Sequence, residues 1–259
     1  MSPLLEVKNL RTHFYTFEGV VKAVDGVSYD LEEGETLGLV GESGCGKSVL
    51  LKHITGLLRP DGGTLLVDGK DVTRLHGPDL DQVRKRFGFL FQGGALFDSM
   101  TVGENVGIGL KVHTKRTEIE IDERVRTCLQ LVGLSGVEEQ KPAELSGGMR
   151  KRVGLARAIA TKPEILFFDE PTTGLEPIMS DVINNLIVKS VHELGATAIS
   201  ITHDMSSLRK IASTVAMLHD GKIVWSGNVS EIDQSKNDYV EQFIRGSSEG
   251  PIQMENILR

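Results

Sequence analysis

The feature that most constrains this chain is a glycine-rich stretch, residues 41–48, which reads Gly-Glu-Ser-Gly-Cys-Gly-Lys-Ser. It follows an apolar run typical of a buried strand, residues 36–40, and it opens a run typical of a helix, residues 47–58. This order predicts a phosphate-binding loop (P-loop), because the glycines let backbone N–H groups point at phosphate oxygens. In such a loop Lys47 reaches the β- and γ-phosphates, and the Ser48 hydroxyl binds Mg²⁺. The predicted nucleotide-binding residues of the loop are Gly41, Ser43, Gly44, Cys45, Gly46, Lys47 and Ser48.

Charge and composition limit what the chain can bind. The net charge is −7, and charged residues make up 25% of the 259 residues. An acidic chain lacks the basic face that neutralises phosphates, so nucleic acid is not expected as a partner. The two cysteines, Cys45 and Cys128, indicate a reducing compartment and no disulfide framework.

Membrane association is expected only through another chain. The sequence contains no run that approaches the ~20 apolar residues needed to span a bilayer. Residues 1–10 lack a basic stretch followed by an apolar core, so no signal peptide is predicted.

A second strand ends in two acidic residues. Residues 165–168 are apolar, and Asp169 and Glu170 follow them directly. Burying acids at a strand end is costly unless they are used at the carboxyl edge of the sheet. Asp169 is therefore predicted to hold Mg²⁺, and Glu170 to orient and deprotonate an attacking water.

A second glycine-rich helix start lies at residues 145–149, which read Leu-Ser-Gly-Gly-Met. Ser146, Gly147 and Gly148 place free N–H groups at a helix N-terminus, which predicts a second anion site. One nucleotide needs only one P-loop, so this second site predicts that two chains share each ATP. The basic residues that follow are interpreted as a solvated helix face, with phosphate or partner contact as the alternative: Arg150, Lys151 and Arg152.

Two further features lie near predicted strands. His203 follows the apolar strand at residues 197–202 and is predicted to contact the γ-phosphate. Residues 13–17 form an aromatic cluster, which fits either core or hairpin packing or an adenine-stacking ring.

The order of elements predicts an α/β fold with an inserted helical lobe. Residues 4–10 are typical of an edge strand, and a turn is expected at Asp25-Gly26 within the next strand. Helical spacing dominates from residue 93 to residue 160. A long amphipathic helix is expected to end at Gly195 and to present one face made of Ile178, Val182, Leu186, Val191 and Leu194.

Taken in order, these motifs resemble those of the ATPase subunit of an ABC transporter, over nearly the whole chain. The matching segments are residues 41–48 (Walker A), Gln92 (Q-loop), residues 145–149 (signature), residues 165–170 (Walker B), residues 174–177 (D-loop) and His203 (H-switch). The resemblance implies a P-loop NTPase cassette with a RecA-like core, an antiparallel β subdomain and an inserted helical subdomain. Its expected extents are residues 1–245 for the ATPase domain, with 1–92 and 161–226 as core and β subdomain, 93–160 as helical subdomain, and 246–259 as a tail.

The same resemblance implies roles for the site residues. Two copies face each other head to tail, and each ATP lies between Lys47 of one copy and Ser146 of the other. Gln92 senses both Mg²⁺ and the permease. Phe14 is the best match to the adenine-stacking aromatic, and Tyr15 is second. The implied catalytic residues are Glu170, His203 and Gln92, and the implied Mg²⁺ ligands are Ser48, Gln92 and Asp169.

Two stretches are similar to a lipid-transporting branch that works with Mce proteins. They are residues 91–102 and residues 145–159, where Met149 replaces the more usual glutamine. The closest resemblance is to the ATPase subunit of the bacterial Mla system, which maintains outer-membrane lipid asymmetry. It implies an ATPase dimer on the cytoplasmic side of the inner membrane, beneath a permease. It also implies a periplasmic Mce-domain lipid-binding protein and a small accessory subunit.

Some features keep other readings open. Residues 20–43 are more similar to oligopeptide-importer ATPases, so import of a peptide or another small solute is the alternative. Glu176 replaces the usual D-loop aspartate, which is expected to retune communication between the two ATP sites. A DNA-repair or translation ATPase is disfavoured by the single P-loop, and a small-molecule kinase by the second helix start. The tail either docks on the partner ATPase or is a disordered end, and its apolar residues are Ile252, Met254, Ile257 and Leu258.

Overall fold

The computed structural model describes residues 3–17 and 19–253. The chain divides into two compact units, one made of Met1–Arg84 and Thr202–Arg259 and the other of Lys85–Ile201. The predicted subdomain limits at residues 92, 160 and 226 differ from this division and stay a prediction.

The described part of the chain contains both strands and helices. The strands are β1 (Leu5–Thr16), β2 (Gly19–Leu31), β3 (Thr36–Val40), β4 (Gly62–Val67), β5 (Lys70–Asp71), β6 (Phe87–Leu90), β7 (Ile165–Asp169), β8 (Thr197–Ile201), β9 (Thr214–His219) and β10 (Lys222–Asn228). The α-helices are α1 (Lys47–Ile54), α2 (Gly77–Arg84), α3 (Val102–His113), α4 (Glu118–Leu131), α5 (Gly147–Ala160), α6 (Pro177–Leu194), α7 (Met205–Ile211) and α8 (Asp238–Arg245). Short 3-10 turns lie at Val72–Arg74, Pro142–Glu144 and Val229–Gln234.

An antiparallel sheet of the first unit has the strand order β2-β1-β4-β5. The edge-strand prediction for residues 4–10 is wrong, because β1 pairs with β2 on one side and with β4 on the other. Its apolar alternation at Leu5, Val7 and Leu10 is fully buried. The alternation reports one buried face and carries no information on how many neighbours a strand has.

The turn expected at Asp25-Gly26 is also wrong, since β2 continues through both residues. Leu10 pairs with Val27 and Arg11 pairs with Asp25, so Gly26 is one extra residue opposite the β1 strand. Gly26 has φ +86°, which a residue with a side chain rarely adopts. The sequence Asp-Gly therefore marks a β-bulge here rather than a reversal.

The first unit also contains the parallel pair β3 and β9, with β10 antiparallel to β9. All five residues of β3 are buried. Helix α7 packs closely here, since a Cβ at Gly38 of β3 would overlap the side chain of Leu208. This packing fixes the strand that leads into the P-loop.

Hydrogen bonds and burial attach the tail to its own unit as far as residue 252. The side-chain amide of Gln242 donates to the Ile252 carbonyl (3.0 Å), and the Ile252 N–H donates to Gln242 Oε1 (2.7 Å). Ile252 is buried in a cluster with Val240 and Ile232, and docking of the tail on a partner stays a prediction. Met254, Ile257 and Leu258 lie outside the described residues.

In the second unit β7 runs parallel to β6 on one side and to β8 on the other. Helices α3, α4 and α5 pack against one another, in agreement with the helical spacing of residues 93–160. Helix α6 ends at Gly195 in the left-handed conformation, as predicted.

The predicted apolar face of α6 is wrong. Its buried residues are Ile183, Asn184, Ile187 and Ser190, whereas Ile178 is 82% exposed. Apolar side chains occur on more than one side of this helix, so their spacing alone does not select the buried side. In the described part of the chain no helix is both long and apolar enough to cross a membrane.

Candidate nucleotide site and signature helix

The P-loop is held in one shape by the backbone around it. Gly41, Gly44 and Gly46 have φ of +147°, +81° and +107°, which favour glycine. A Cβ at Gly41 would overlap the carbonyl oxygen of Leu218, and a Cβ at Gly46 would overlap that of Ala23. Glycine at positions 41 and 46 is therefore required by close packing of the loop against β9 and β2.

Lys47 lies across its own loop. Its Nζ donates to the carbonyl oxygens of Gly41 (2.7 Å) and Glu42 (2.9 Å). The Sγ of Cys45 is 3.7 Å from the same ammonium. A cation held at the loop by neutral carbonyls is well placed to interact with an anionic phosphate, the role predicted for Lys47.

The start of α1 leaves backbone donors available. Gly46 is the N-cap, and its first intrahelical bond joins the N–H of Leu50 to the Gly46 carbonyl (2.9 Å). The N–H groups of Lys47, Ser48 and Val49 precede that bond, and the N-cap supplies no side-chain hydrogen bond to them. This helix start therefore has the donors and the dipole direction that suit a phosphate.

His203 lies near the strand that delivers the P-loop. The preceding residue, Thr202, donates its N–H to the carbonyl of Leu39 (3.3 Å), and Leu39 stands two residues before Gly41. His203 is exposed, and Asp204 after it caps α7. The first unit thus brings His203 to the same end of β3 as the P-loop, and its contact with a γ-phosphate stays a prediction.

The aromatic cluster projects from a hairpin. Phe14 pairs with Val21 and Tyr15 with Val20 in the β1–β2 ladder, so the hairpin placement is confirmed. Core packing does not hold, since Phe14 is 40% and Tyr15 is 81% exposed. An exposed aromatic face can stack on a nucleobase, and that role of Phe14 stays a prediction.

The acidic pair of the second unit stands where β7 ends. Asp169 is the last residue of the strand, and Glu170 follows at φ +48°. The N–H of Glu170 donates to the Ile201 carbonyl (2.9 Å), and the hydroxyl of Thr173 donates to Glu170 Oε2 (2.8 Å). Both ends of Glu170 are therefore positioned, and its carboxylate has a defined hydrogen-bond donor.

The signature stretch begins helix α5 as expected. Ser146 is its N-cap, and the Ser146 Oγ accepts from the N–H of Met149 (3.2 Å). A Cβ at Gly147 would meet only the guanidinium of Arg150, at 3.9 Å. The first turn of α5 therefore has open space beside it on the Gly147 side.

The solvated-face interpretation is wrong for Lys151. This residue is only 4% exposed, and its Nζ donates to the carbonyls of Pro171 (2.8 Å) and Thr173 (2.6 Å). Burial lowers the pKa of Lys151, and the negative charge of Glu170 opposes that shift. Lys151 stands four residues before the buried Leu155, on the same side of α5. This spacing is the sequence signal that could have predicted its burial.

Sequence reasoning also missed Arg157, at the other end of α5. Its guanidinium donates to the carbonyls of Gly94 (2.7 Å) and Ala95 (2.8 Å), in the segment that follows Gln92. Gln92 itself is exposed in the turn after β6. Helix α5 therefore holds the backbone just after Gln92, the predicted Q-loop residue.

The residues present fit Mg²⁺. No three His, Cys, Asp or Glu side chains gather into a metal site anywhere in residues 3–17 and 19–253. Mg²⁺ characteristically takes one or two carboxylates together with substrate phosphates and water rather than a cage of protein ligands. Asp169 offers one carboxylate, Ser48 and Gln92 offer a hydroxyl and an amide oxygen, and their roles as Mg²⁺ ligands stay predictions.

Comparison with known proteins gives three findings. The sequence profile described as ABC transporter matches residues 24–173. The intermembrane phospholipid transport system ATP-binding protein MlaF of Haemophilus influenzae is 40% identical over 253 residues, which span 97% of this chain and 94% of that protein. The methionine import ATP-binding protein MetN of Carboxydothermus hydrogenoformans is 42% identical over 229 residues, which span 88% of this chain and 67% of that protein.

A solved structure agrees with these relatives. The ATP-binding cassette MJ0796, solved as a dimer in a post-hydrolysis state with ADP and Pi, matches with a TM-score of 0.80. The two chains are 30% identical, and the match covers 87% of this chain and 98% of the other. At this identity and coverage the α/β cassette fold expected from the sequence is confirmed.

Proposed function

Because the chain belongs to the ABC transporter family, as an ATP-binding subunit that hydrolyses ATP, we propose that it drives phospholipid movement between the inner and outer membranes of a bacterium. It acts as a homodimer beneath a permease, on the cytoplasmic side of the inner membrane. A periplasmic Mce-domain lipid-binding protein and a small accessory subunit complete the assembly.

The choice of phospholipid as the cargo rests on one observation, the extent of the similarity. The similarity to the phospholipid-system protein extends over 97% of this chain and 94% of that protein. The similarity to the methionine importer, at nearly the same identity, extends over 88% of this chain and 67% of that protein. The phospholipid relative therefore matches residues of this chain that the importer alignment leaves out.

The chemistry assigned to the chain is hydrolysis of ATP. Lys47 and the first N–H groups of α1 hold the β- and γ-phosphates. Glu170 accepts a proton from water as the water oxygen bonds to the γ-phosphorus, while the bond to the bridging oxygen breaks and ADP leaves. His203 and Gln92 orient the γ-phosphate and the water. Mg²⁺, when bound, neutralises charge on the phosphate oxygens.

The helix start at Ser146 completes the site of a second copy. Its N-terminal donors close over the ATP held by Lys47 of that copy, which gives two equivalent sites in a twofold dimer. The dimeric state of MJ0796 supports this arrangement. ATP binding favours the closed dimer and hydrolysis the open one, because the nucleotide binds the two states with different affinity. Closure moves permease helices docked near residues 92–106.

The cargo is tested with the complex purified from membranes through a tag on this chain. The complex is placed in liposomes that contain a fluorescent phospholipid, and transfer to acceptor vesicles is followed with and without ATP. We expect transfer that needs ATP, an Mce-domain protein among the subunits, and no transfer with Glu170→Gln. Stimulated ATP hydrolysis with no phospholipid transfer would contradict the phospholipid proposal and leave the ATPase assignment intact.

Import of a small solute is the second candidate. It is supported by the 42% identity to the methionine importer and by the resemblance of residues 20–43 to oligopeptide importers. This function would be favoured over phospholipid transport by two results. One is a soluble solute-binding protein in the purified complex, and the other is solute-dependent ATP hydrolysis without any Mce-domain protein.

A further inference from the structure

Lys151 is a buried cation with an unusual set of partners. It stands five residues after Ser146 on α5, where the ammonium is removed from water. An unpaired ammonium is very costly to bury, so its partners matter. They are the backbone carbonyls of Pro171 and Thr173, at 2.8 and 2.6 Å. The cation is therefore hydrogen-bonded to two of the three residues that follow Glu170.

Thr173, one of those two residues, also bonds the carboxylate of Glu170. The Thr173 hydroxyl donates to Glu170 Oε2 (2.8 Å), and the Thr173 N–H lies 3.3 Å from the Glu170 carbonyl oxygen. One end of this turn is fixed to β8 through the bond from Glu170 to Ile201. The other end is bonded to α5 through Lys151. A movement of α5 therefore displaces Thr173 relative to β8.

The two charges also act on each other directly. The negative charge of Glu170 opposes the fall in the pKa of Lys151 that burial causes. Charges that interact this way inside a protein are weakly screened. The two groups are therefore close enough to interact by charge as well as through the turn.

We propose that Lys151 is a positioning residue that links the signature helix of a chain to the hydrolytic carboxylate of the same chain. The inference rests on the proposed function, in which Ser146 contacts the ATP of a second copy. When that ATP draws the N-terminus of α5 toward it, Lys151 carries the shift to the turn at residues 170–173. Occupancy of one ATP site thereby sets the pose of Glu170 at the other, which makes the two sites cooperative.

The test compares three single variants of the full chain in its complex. Lys151→Met keeps the length of the side chain and removes the cation and its donors. Lys151→Arg keeps a cation with donors. Arg152→Met is the matched control, because Arg152 is a neighbouring cation on α5 whose NH1 donates to the carbonyl of Gly133 (3.1 Å), away from the turn.

We expect a split between the kinetic parameters. Lys151→Met lowers kcat by roughly 10- to 100-fold, leaves KM for ATP within about threefold, and brings the Hill coefficient for ATP toward one. Lys151→Arg restores part of kcat, and Arg152→Met changes kcat by less than about twofold. If Lys151→Met does not fold, Lys151→Gln is measured instead. A folded variant of either kind with wild-type kcat and cooperativity overturns the proposal.

A double variant separates positioning from general stabilisation. In the Glu170→Gln background, single-turnover hydrolysis is measured with and without Lys151→Met. If Lys151 acts through Glu170, the second substitution adds little further loss. A full additional loss shows that Lys151 acts elsewhere and overturns the proposal. Wild-type turnover in Glu170→Gln alone would instead refute the role of Glu170 in the proposed function.

Discussion

The two glycine-rich helix starts of this protein differ in how much of a binding site each one contains. At the P-loop, Gly41 and Gly46 are enclosed by backbone, and Lys47 is bonded across the loop to the carbonyls of Gly41 and Glu42. At the signature stretch, Ser146 caps the helix and Gly147 has open space beside it. The first start is enclosed by its own chain, and the second is open on one side.

The difference lies in what the glycines do. In the P-loop they allow a backbone path that no other residue can follow in that space. In the signature stretch they keep the helix start free of side chains, which lets another molecule approach its N–H groups. The same residue type thus serves an internal packing need in one region and an external one in the other.

The largest effect is expected inside the P-loop. Gly46→Ala places a Cβ on the carbonyl of Ala23 at φ +107°, so it should cost several kcal/mol of unfolding free energy and lower ATP affinity at least about 100-fold. Gly44→Ala is the control, since its φ is +81° but its Cβ meets open space, and it should cost only about 1–2 kcal/mol. Denaturant unfolding and nucleotide titration measure both. Equal losses in the two variants would show that enclosure is unimportant.

The next effect is expected at the signature helix. Ser146→Arg fills the open approach and removes the cap, so kcat should fall at least about 100-fold, as when a transition-state donor is lost. ATP binding by the same variant should stay within about threefold of wild type, because its P-loop is intact. Ser146→Thr keeps a hydroxyl cap and serves as the control. Normal turnover by Ser146→Arg would break the two-chain arrangement.

A smaller effect is expected at the thiol inside the P-loop. Cys45 is 7% exposed, and burial raises its pKa, so the unreactive protonated thiol is favoured in the folded protein at neutral pH. Labelling with a bulky thiol reagent should be at least about tenfold slower than in unfolded protein, with or without nucleotide. The rate should rise with pH as the thiolate forms. Rapid labelling of folded, nucleotide-free protein would show that the loop opens.

The smallest effects are expected from alanine at the signature glycines. A Cβ at Gly148 would lie 3.0 Å from the flexible side chain of Met179, and a Cβ at Gly147 meets nearly open space. Each substitution should change the unfolding free energy by no more than about 1 kcal/mol, or a few degrees in Tm. Calorimetry measures both variants beside Gly46→Ala. A loss at Gly147 as large as at Gly46 would remove the contrast between the two regions.

The parts of the fold that sequence predicted well are those with local causes. Strands β3, β7 and β8 are mostly apolar because both faces are buried, and the sequence predicts their bounds to within one residue. The reversal between β9 and β10 also has a local cause, because Asp220 and the following Gly221 have positive φ. The P-loop and the Ser146 cap could be predicted because each depends on residues that are close together in the sequence.

The parts that sequence missed depend on distant contacts. The neighbours of β1, the bulge at Gly26 and the buried side of α6 are set by elements far along the chain. Lys151 was misread because the carbonyls that accept its hydrogen bonds lie some twenty residues away. Charge alone predicts exposure, and only the fold supplies the partners that make burial possible.

Glu170 illustrates how stability and a predicted catalytic role can place opposite demands on one residue. A non-glycine residue at φ +48° costs roughly 1–2 kcal/mol, so the chain loses stability at the residue that is predicted to act on water. Glycine at position 170 would relax that backbone while it removes the carboxylate. Selection of variants for heat resistance alone would therefore favour a protein that is more stable but lacks this carboxylate. Selection for the ATP hydrolysis proposed for Glu170 would oppose that substitution.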